Sequence, residues 1–228
     1  MSVILDSVKA GKVIRSANFL VFDFDGVLAD SVEVKTSAFA ALYKSYGDIV
    51  EQKVIKHHRE NGGMSRFDKF KYYHNEFLGE EISEYEISEL SNSFSKLVVD
   101  NVVSSPEISG AGHFLEKYCT KDKRCFVNSA TPTNEVSEIV TRRGLSRYFE
   151  AVYGSPSNKT ENLLKIIDTY KLDVKKGLFF GDAVSDFNAA VNVQINFIGI
   201  GELLTNILHT DKRNWMVFKD FDEYLNGN

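Results

Sequence analysis

Short apolar runs alternate with amphipathic stretches along most of this chain. Residues 18–24, NFLVFDF, form a continuous apolar run that ends in Asp-Gly. A run that short predicts a fully buried parallel strand. Similar runs follow at 124–130 (RCFVNSA), 149–155 (FEAVYGS), 177–182 (GLFFGD), 196–200 (NFIGI) and 214–218 (NWMVF). Helical patterns separate them. Glu135–Arg143 puts Val136, Ile139 and Val140 on one face. Thr160–Tyr170 has Leu163, Leu164, Ile166 and Ile167 as its apolar positions, and Asp186–Val193 is a shorter candidate. Strand and helix alternating at this rhythm predict βαβ units: an α/β fold with a parallel sheet covered on both faces.

The stretch from Val32 to Ser105 breaks the rhythm. It is rich in Lys, Glu, Tyr, Phe and Ser and has no run that reads as a buried strand. Phe39, Leu42, Tyr43 and Tyr46 make one amphipathic face. Phe67, Phe70, Tyr73 and His74 make a second, and Ile87, Leu90, Phe94, Leu97 and Val98 a third. The pattern predicts an all-helical domain, 32–105, inserted after the first strand, with Pro106 marking the return. Residues 1–31 and 106–228 then form the core.

Composition narrows the picture. The 228 residues suit one domain with a sizeable insertion. A 43% hydrophobic and 26% charged content is that of a globular protein able to bury a core without staples. The net charge of −5 argues against a nucleic-acid partner held by phosphate contacts. No apolar run approaches the ~18–20 residues of a membrane span, and the N-terminus lacks a leader pattern, so the expected compartment is the cytoplasm. The two cysteines, Cys119 and Cys125, have no zinc-ligand spacing and are expected to be buried reduced thiols.

Four aspartates sit at or just past predicted strand ends. Asp23 and Asp25 close the first, Asp182 closes GLFFGD, and Asp186 follows four residues later. That edge of an open parallel sheet is where ligands bind. If the two strands are neighbours, the acids converge and raise one another's pKa. A hard divalent cation removes the conflict, and Mg²⁺ is the common choice. Singly, each aspartate would read as a turn or cap residue. Ser129 ends another strand, and its hydroxyl with the backbone N–H groups that follow, at Ala130 and beyond, could hold phosphate oxygens. Lys159, just before a predicted helix, could neutralise a phosphate at the same edge.

The segments DFDGVLADS (23–31), Ser129, Lys159 and GDAVSD (181–186) together resemble, in order and spacing, the four motifs of the haloacid-dehalogenase-like superfamily. The resemblance covers about residues 18–201. It implies a Rossmann-like sheet with a helical cap over its active edge, as in phosphoglycolate phosphatase and β-phosphoglucomutase. It implies Asp23 as nucleophile and Asp25 as the acid and base that serves the leaving oxygen and then water. It further implies Mg²⁺ on Asp23, the Asp25 carbonyl and Asp182, with Asp186 acting through water or orienting Lys159. Phosphate would be held by Ser129, Ala130, Lys159 and the turn at Gly26.

Asp25 favours phosphoryl transfer, because the dehalogenases of that family lack an aspartate two residues after the nucleophile. The sequence reading is therefore a Mg²⁺-dependent phosphatase that hydrolyses a small phosphorylated metabolite, a sugar phosphate or a phosphoglycolate-like phosphomonoester, through an aspartyl-phosphate intermediate. The alternatives are a phosphomutase and a catalytically weak regulator that binds a phosphorylated ligand. Mutase-like members carry a histidine twelve residues after the nucleophile. Here that place holds Lys35, which reads by default as a solvated residue. Residues 51–75 carry six Lys/Arg against three Asp/Glu. Within them the break ENGGMSR (60–66) is a candidate substrate loop offering Arg59, Ser65 or Arg66 to an anionic or hydroxylated leaving group. The aromatics Phe67, Phe70, Tyr72, Tyr73 and Phe77 are expected to form the cap's own core.

Overall fold

The computed structural model describes residues 3–201, 204 and 215–227. Six parallel strands form one sheet in the order β3-β2-β1-β4-β5-β6. They are β1 Phe19–Phe22, β2 Arg124–Pro132, β3 Ala151–Ser155, β4 Gly177–Gly181, β5 Asn196–Ile200 and β6 Met216–Phe218. Every run read as a strand contains one. Asn214, the first residue of the last run, lies outside the described residues.

Both faces of the sheet are covered, so alternate strand residues feed two cores. Leu20, Phe22, Val127, Phe180 and Ile198 pack on one side. That side is covered by α1 (Val3–Ser16), α6 (Ala111–Tyr118), α7 (Thr133–Arg142) and α10 (Phe221–Asn226). Phe19, Val21, Phe126, Phe179 and Phe197 pack on the other, against α8 (Lys159–Tyr170) and α9 (Val184–Val193). In α8 Leu163 and Ile166 are buried, but Leu164 is exposed, because a helix turns 100° per residue and carries it off the stripe. The apolar pattern did not single out α1, α6 or α10.

Between β1 and β2 the chain is helical: α2 (Val32–Tyr43), α3 (Asp48–Glu60), α4 (Arg66–Tyr72) and α5 (Glu84–Ser104). Phe39, Tyr43, Val54, Phe70, Tyr73, Phe94 and Val98 are buried among these helices. The long α5 buries the stripe Ile87, Ser91, Phe94, Val98 and Val102 and begins with a Ser83–Glu86 capping box. Tyr46, Leu97 and Tyr72, read from sequence as core positions, are instead exposed. They sit at the rims of the buried stripes. The chain leaves and re-enters the sheet side by side, since the Asp30 N–H donates to the Pro106 carbonyl at 2.9 Å. No described helix is long and apolar enough to cross a membrane.

Candidate active site

β1 and β4 are neighbours in register, Phe22 beside Phe180, and the Asp23 N–H donates to the Phe180 carbonyl at 2.9 Å. Adjacent strand ends therefore deliver Asp23 and Asp182 to one place. The N-terminal turn of α9 adds Asp186. Carboxylate oxygens of all three lie within 4.8 Å of one another. From α8, Lys159 Nζ donates to Asp23 Oδ2 at 2.6 Å and also pairs with Asp186. All of Asp23, Lys159 and Asp186 are buried.

The electrostatics follow from that crowding. Burial pushes the Asp23 carboxyl up to about 7, with Asp186 and Asp25 adding to the rise and Lys159 opposing it. Burial, then Asp23 and Asp186, hold Asp182 far above the usual carboxylate range. Lys159 is desolvated too, but Asp186 and Asp23 outweigh that and raise its pKa.

These residues fit a hard cation. The donors are oxygens only. The Asp182 carboxylate makes no hydrogen bond or ion pair with any described residue, though the charge of Lys159 acts on it. Asp186 fits less well, since Lys159 and the Ala183 N–H, at 3.1 Å, already engage its two oxygens. Gly26 sits at φ 78°, and a Cβ there would come within 2.1 Å of Asp182 Oδ2, so glycine leaves the acid its space. The N–H of Gly26 is committed to the Ala29 carbonyl at 2.8 Å. What Gly26 contributes here is the turn and the clearance, as the sequence reading had it, and its own N–H is spent within that turn.

Asp25 faces a different set of groups. Ser31 Oγ donates to it at 2.6 Å, Thr131 Oγ1 at 3.2 Å, and Lys35 from α2 forms an ion pair with it. Burial pushes Asp25 up, but Lys35, with the Ser31 and Thr131 hydroxyls, reverses that and leaves it below the usual range. Lys35 is thus not the solvated residue expected of it. It also donates to Thr131 at 2.6 Å, tying α2 to the end of β2. Ser129 is buried and its Oγ accepts the Thr131 N–H at 3.1 Å, and Ala130 lines the same cavity.

The inserted helices close over this edge. Gly62, Gly63 and Met64 line the cavity with Asp23, Asp25 and Asp182, so the loop at 60–66 does dip toward the aspartates. A Cβ on Gly63 would lie 1.7 Å from Ser185 Oγ, which shows how tightly the loop is seated. The three side chains read as substrate contacts diverge. Ser65 caps α4 by accepting the Asp68 N–H at 3.2 Å and does not line the cavity, because an extended residue at a helix start turns its hydroxyl to the orphan N–H groups. Arg59 stands at the mouth, exposed and 2.9 Å from Glu33. Arg66 lines the cavity, but its guanidinium pairs with buried Glu135 of α7 and donates to Ser95 at 2.8 Å.

Lys69 and His58, both buried, also line this cavity and were not anticipated. A signal existed: Arg66, Lys69 and Phe70 fall at i, i+3 and i+4, so two cations share the buried face of one helix.

A family model described as haloacid dehalogenase-like hydrolase matches residues 20–200. No curated protein matches the chain. Among solved structures, a predicted phosphatase from Clostridium acetobutylicum is 18% identical with a TM-score of 0.72, covering 92% of this chain and 97% of its own. A predicted phosphoglycolate phosphatase from Haemophilus somnus is 19% identical with a TM-score of 0.70, over 92% and 97%. A candidate β-phosphoglucomutase from Bacteroides vulgatus is 15% identical with a TM-score of 0.74, over 99% of both chains. At these identities the likeness is one of fold.

Proposed function

This chain belongs to the haloacid dehalogenase-like hydrolases, and on that premise we propose that it is a Mg²⁺-dependent phosphatase of a small phosphomonoester. The observation that carries this reading is the convergence of Asp23, Asp25 and Asp182 on one cavity, with Lys159 bridging Asp23 and Asp186. Residues 1–31 and 106–228 act as the catalytic core and 32–105 as the cap.

Mg²⁺ would be held by Asp23, the Asp25 carbonyl and Asp182, where it supplies Lewis-acid charge against the phosphate oxygens. Asp23 attacks phosphorus in line, giving an aspartyl-phosphate as the ester oxygen leaves. Lys159 offsets the charge of phosphate and nucleophile together and is itself oriented by Asp186. Ser129 Oγ and the N–H of Ala130 hold phosphate oxygens. Asp25 serves as acid for the leaving oxygen and as base for the water that hydrolyses the intermediate. A phosphate dianion entering beside Lys35 weakens its grip on Asp25 and favours the proton-bearing form the first step needs.

A panel of phosphate esters with Mg²⁺ tests this. Inorganic phosphate should appear, and Asp23→Asn should abolish it. Release that survives this substitution removes Asp23 as the nucleophile. The second reading, a phosphomutase, draws on the fold match to the Bacteroides vulgatus chain over 99% of both chains. It predicts interconversion of hexose phosphates with little net release. A ligand-binding regulator would gain thermal stability with a phosphorylated ligand and turn over nothing.

A further inference from the structure

Four cations from the inserted helices line the cavity that holds Asp25: Lys35, Arg59, Arg66 and Lys69. Three have an acidic partner within the protein. Lys35 pairs with Asp25, Arg59 with Glu33, and Arg66 with Glu135. Lys69 has no acidic partner among the described residues. Its side chain is only 1% exposed, and its one hydrogen bond links Nζ to His58 Nδ1 at 2.7 Å. Its ammonium also lies 5.3 Å from the centre of the Phe39 ring.

His58 supplies orientation but no counter-charge. It is buried against Phe39, with ring centres 4.8 Å apart. Burial, then the charges of Lys69 and Lys35, hold its pKa well below the ordinary histidine value, so the ring is neutral and Nδ1 accepts. A buried lysine in contact with a neutral acceptor and an aromatic ring keeps its proton at a cost. The nearby Asp25 carboxylate, already paired with Lys35, acts on it only from beyond ion-pair distance. The cost falls when a bound molecule supplies the missing negative charge. Lys69 is placed for that role, because it lines the same cavity as Asp23 and Asp25 yet belongs to the inserted helices rather than to the phosphate edge.

We propose that Lys69, held in place by the neutral His58 ring, binds an oxyanion on the leaving-group side of the substrate. The ligand class is then a phosphomonoester with at least one further carboxylate or phosphate. This deepens the phosphatase reading and rests on it only for where the first phosphate sits.

Equilibrium binding to the full chain in Mg²⁺, in an Asp23→Asn background that prevents turnover, tests the idea. Three probes of one size series serve: ethyl phosphate, phosphoglycolate and ethylene glycol bisphosphate. The protein with Lys69 intact should bind at least one of the two charged probes about tenfold more tightly than ethyl phosphate, as one charge-assisted hydrogen bond implies. Whichever it prefers identifies the anion as carboxylate or phosphate. Lys69→Met and Lys69→Gln should both collapse that ratio toward one. Without ligand, Lys69→Met should melt at or above the parent's temperature, because an uncompensated charge has gone. Equal or undetectable binding of all three probes overturns the proposal. So does a preference that survives both substitutions, or a Lys69→Met protein that melts well below the parent while keeping the preference, the mark of a purely structural lysine. Failure of the phosphatase reading shows elsewhere, as no phosphate release from the ester panel.

Discussion

At Lys69, burial and the charge of Lys35 press the amine down to about 7, with Asp25 opposing and Lys159 assisting. His58 is the other titratable group against it and stays neutral through this range. An unfolded lysine keeps its proton to about 10.4. Between those values the unfolded chain binds more protons at this site, so the site's contribution to folding stability rises with pH, by at most about 1.4 kcal/mol per unit. Lys69→Met removes that dependence. The stability advantage of Lys69→Met over the parent should therefore be largest at and below about pH 7 and shrink as pH approaches 10. Urea titrations of both proteins across that range check it, and an advantage that does not change with pH would mean Lys69 titrates normally. Residues of this kind are hard to see in a sequence. Asp23, Asp25, Asp182 and Asp186 were legible because apolar strands end on them and fix their direction. Lys35 and Lys69 lie on helices, where a single lysine reads as solvated unless the neighbouring face is known to be covered.

The link between α4, α5 and α7 belongs to the scale of elements. Arg66 of α4 pairs with Glu135 of α7, Ser95 of α5 donates to the same carboxylate, and the guanidinium lies 4.5 Å from the centre of the Phe94 ring. Both charges are almost fully buried. Removing one partner strands the other, so Glu135→Ala should cost about 3–5 kcal/mol. Chemical denaturation measures it. Replacing both residues with apolar groups, Arg66→Met with Glu135→Leu, should recover most of that loss, and a double variant as unstable as the single one would show that the cost is in packing rather than in an unpaired charge. The helices were legible from their apolar stripes, but this contact was not. Nothing in either segment announces that residue 66 meets residue 135, because the pairing exists only once the inserted helices are folded down on the sheet edge. The same limit explains Ser65, whose short side chain and position before α4 decide its role as a cap.

For the molecule as a whole, the question is how substrate reaches the aspartates. The cavity beneath the inserted helices measures about 80 Å³, room for a few waters rather than for a phosphate ester with its leaving group. A larger cleft of about 730 Å³ shares Gly62, Gly63 and Met64 with it and reaches Lys159, so a substrate can approach along that cleft. Any lifting of the inserted helices must be followed by their return if the site is to exclude water. The two crossings of the chain at Asp30 and Pro106, hydrogen-bonded to each other, are the covalent connection about which such movement can occur. The seating surface is the loop at Gly63. An alanine there would put its Cβ 1.7 Å from Ser185 Oγ and 3.5 Å from Lys159 Nζ. Gly63 has no left-handed φ, so the backbone accepts alanine and the clash lies wholly between the loop and the N-terminal turn of α9. Gly63→Ala should leave the two parts folded but hold them slightly apart, lowering kcat/KM for ester hydrolysis about tenfold, or about 1.4 kcal/mol of transition-state stabilisation. Ser185→Gly removes Ser185 Oγ and Cβ, the latter 2.9 Å from the added Cβ, and should restore much of the activity in the double variant. Steady-state kinetics of the four proteins in that cycle decide the matter. If Gly63→Ala alone behaves as the parent does, or if the second substitution recovers nothing, tight seating of this loop is not what completes the site.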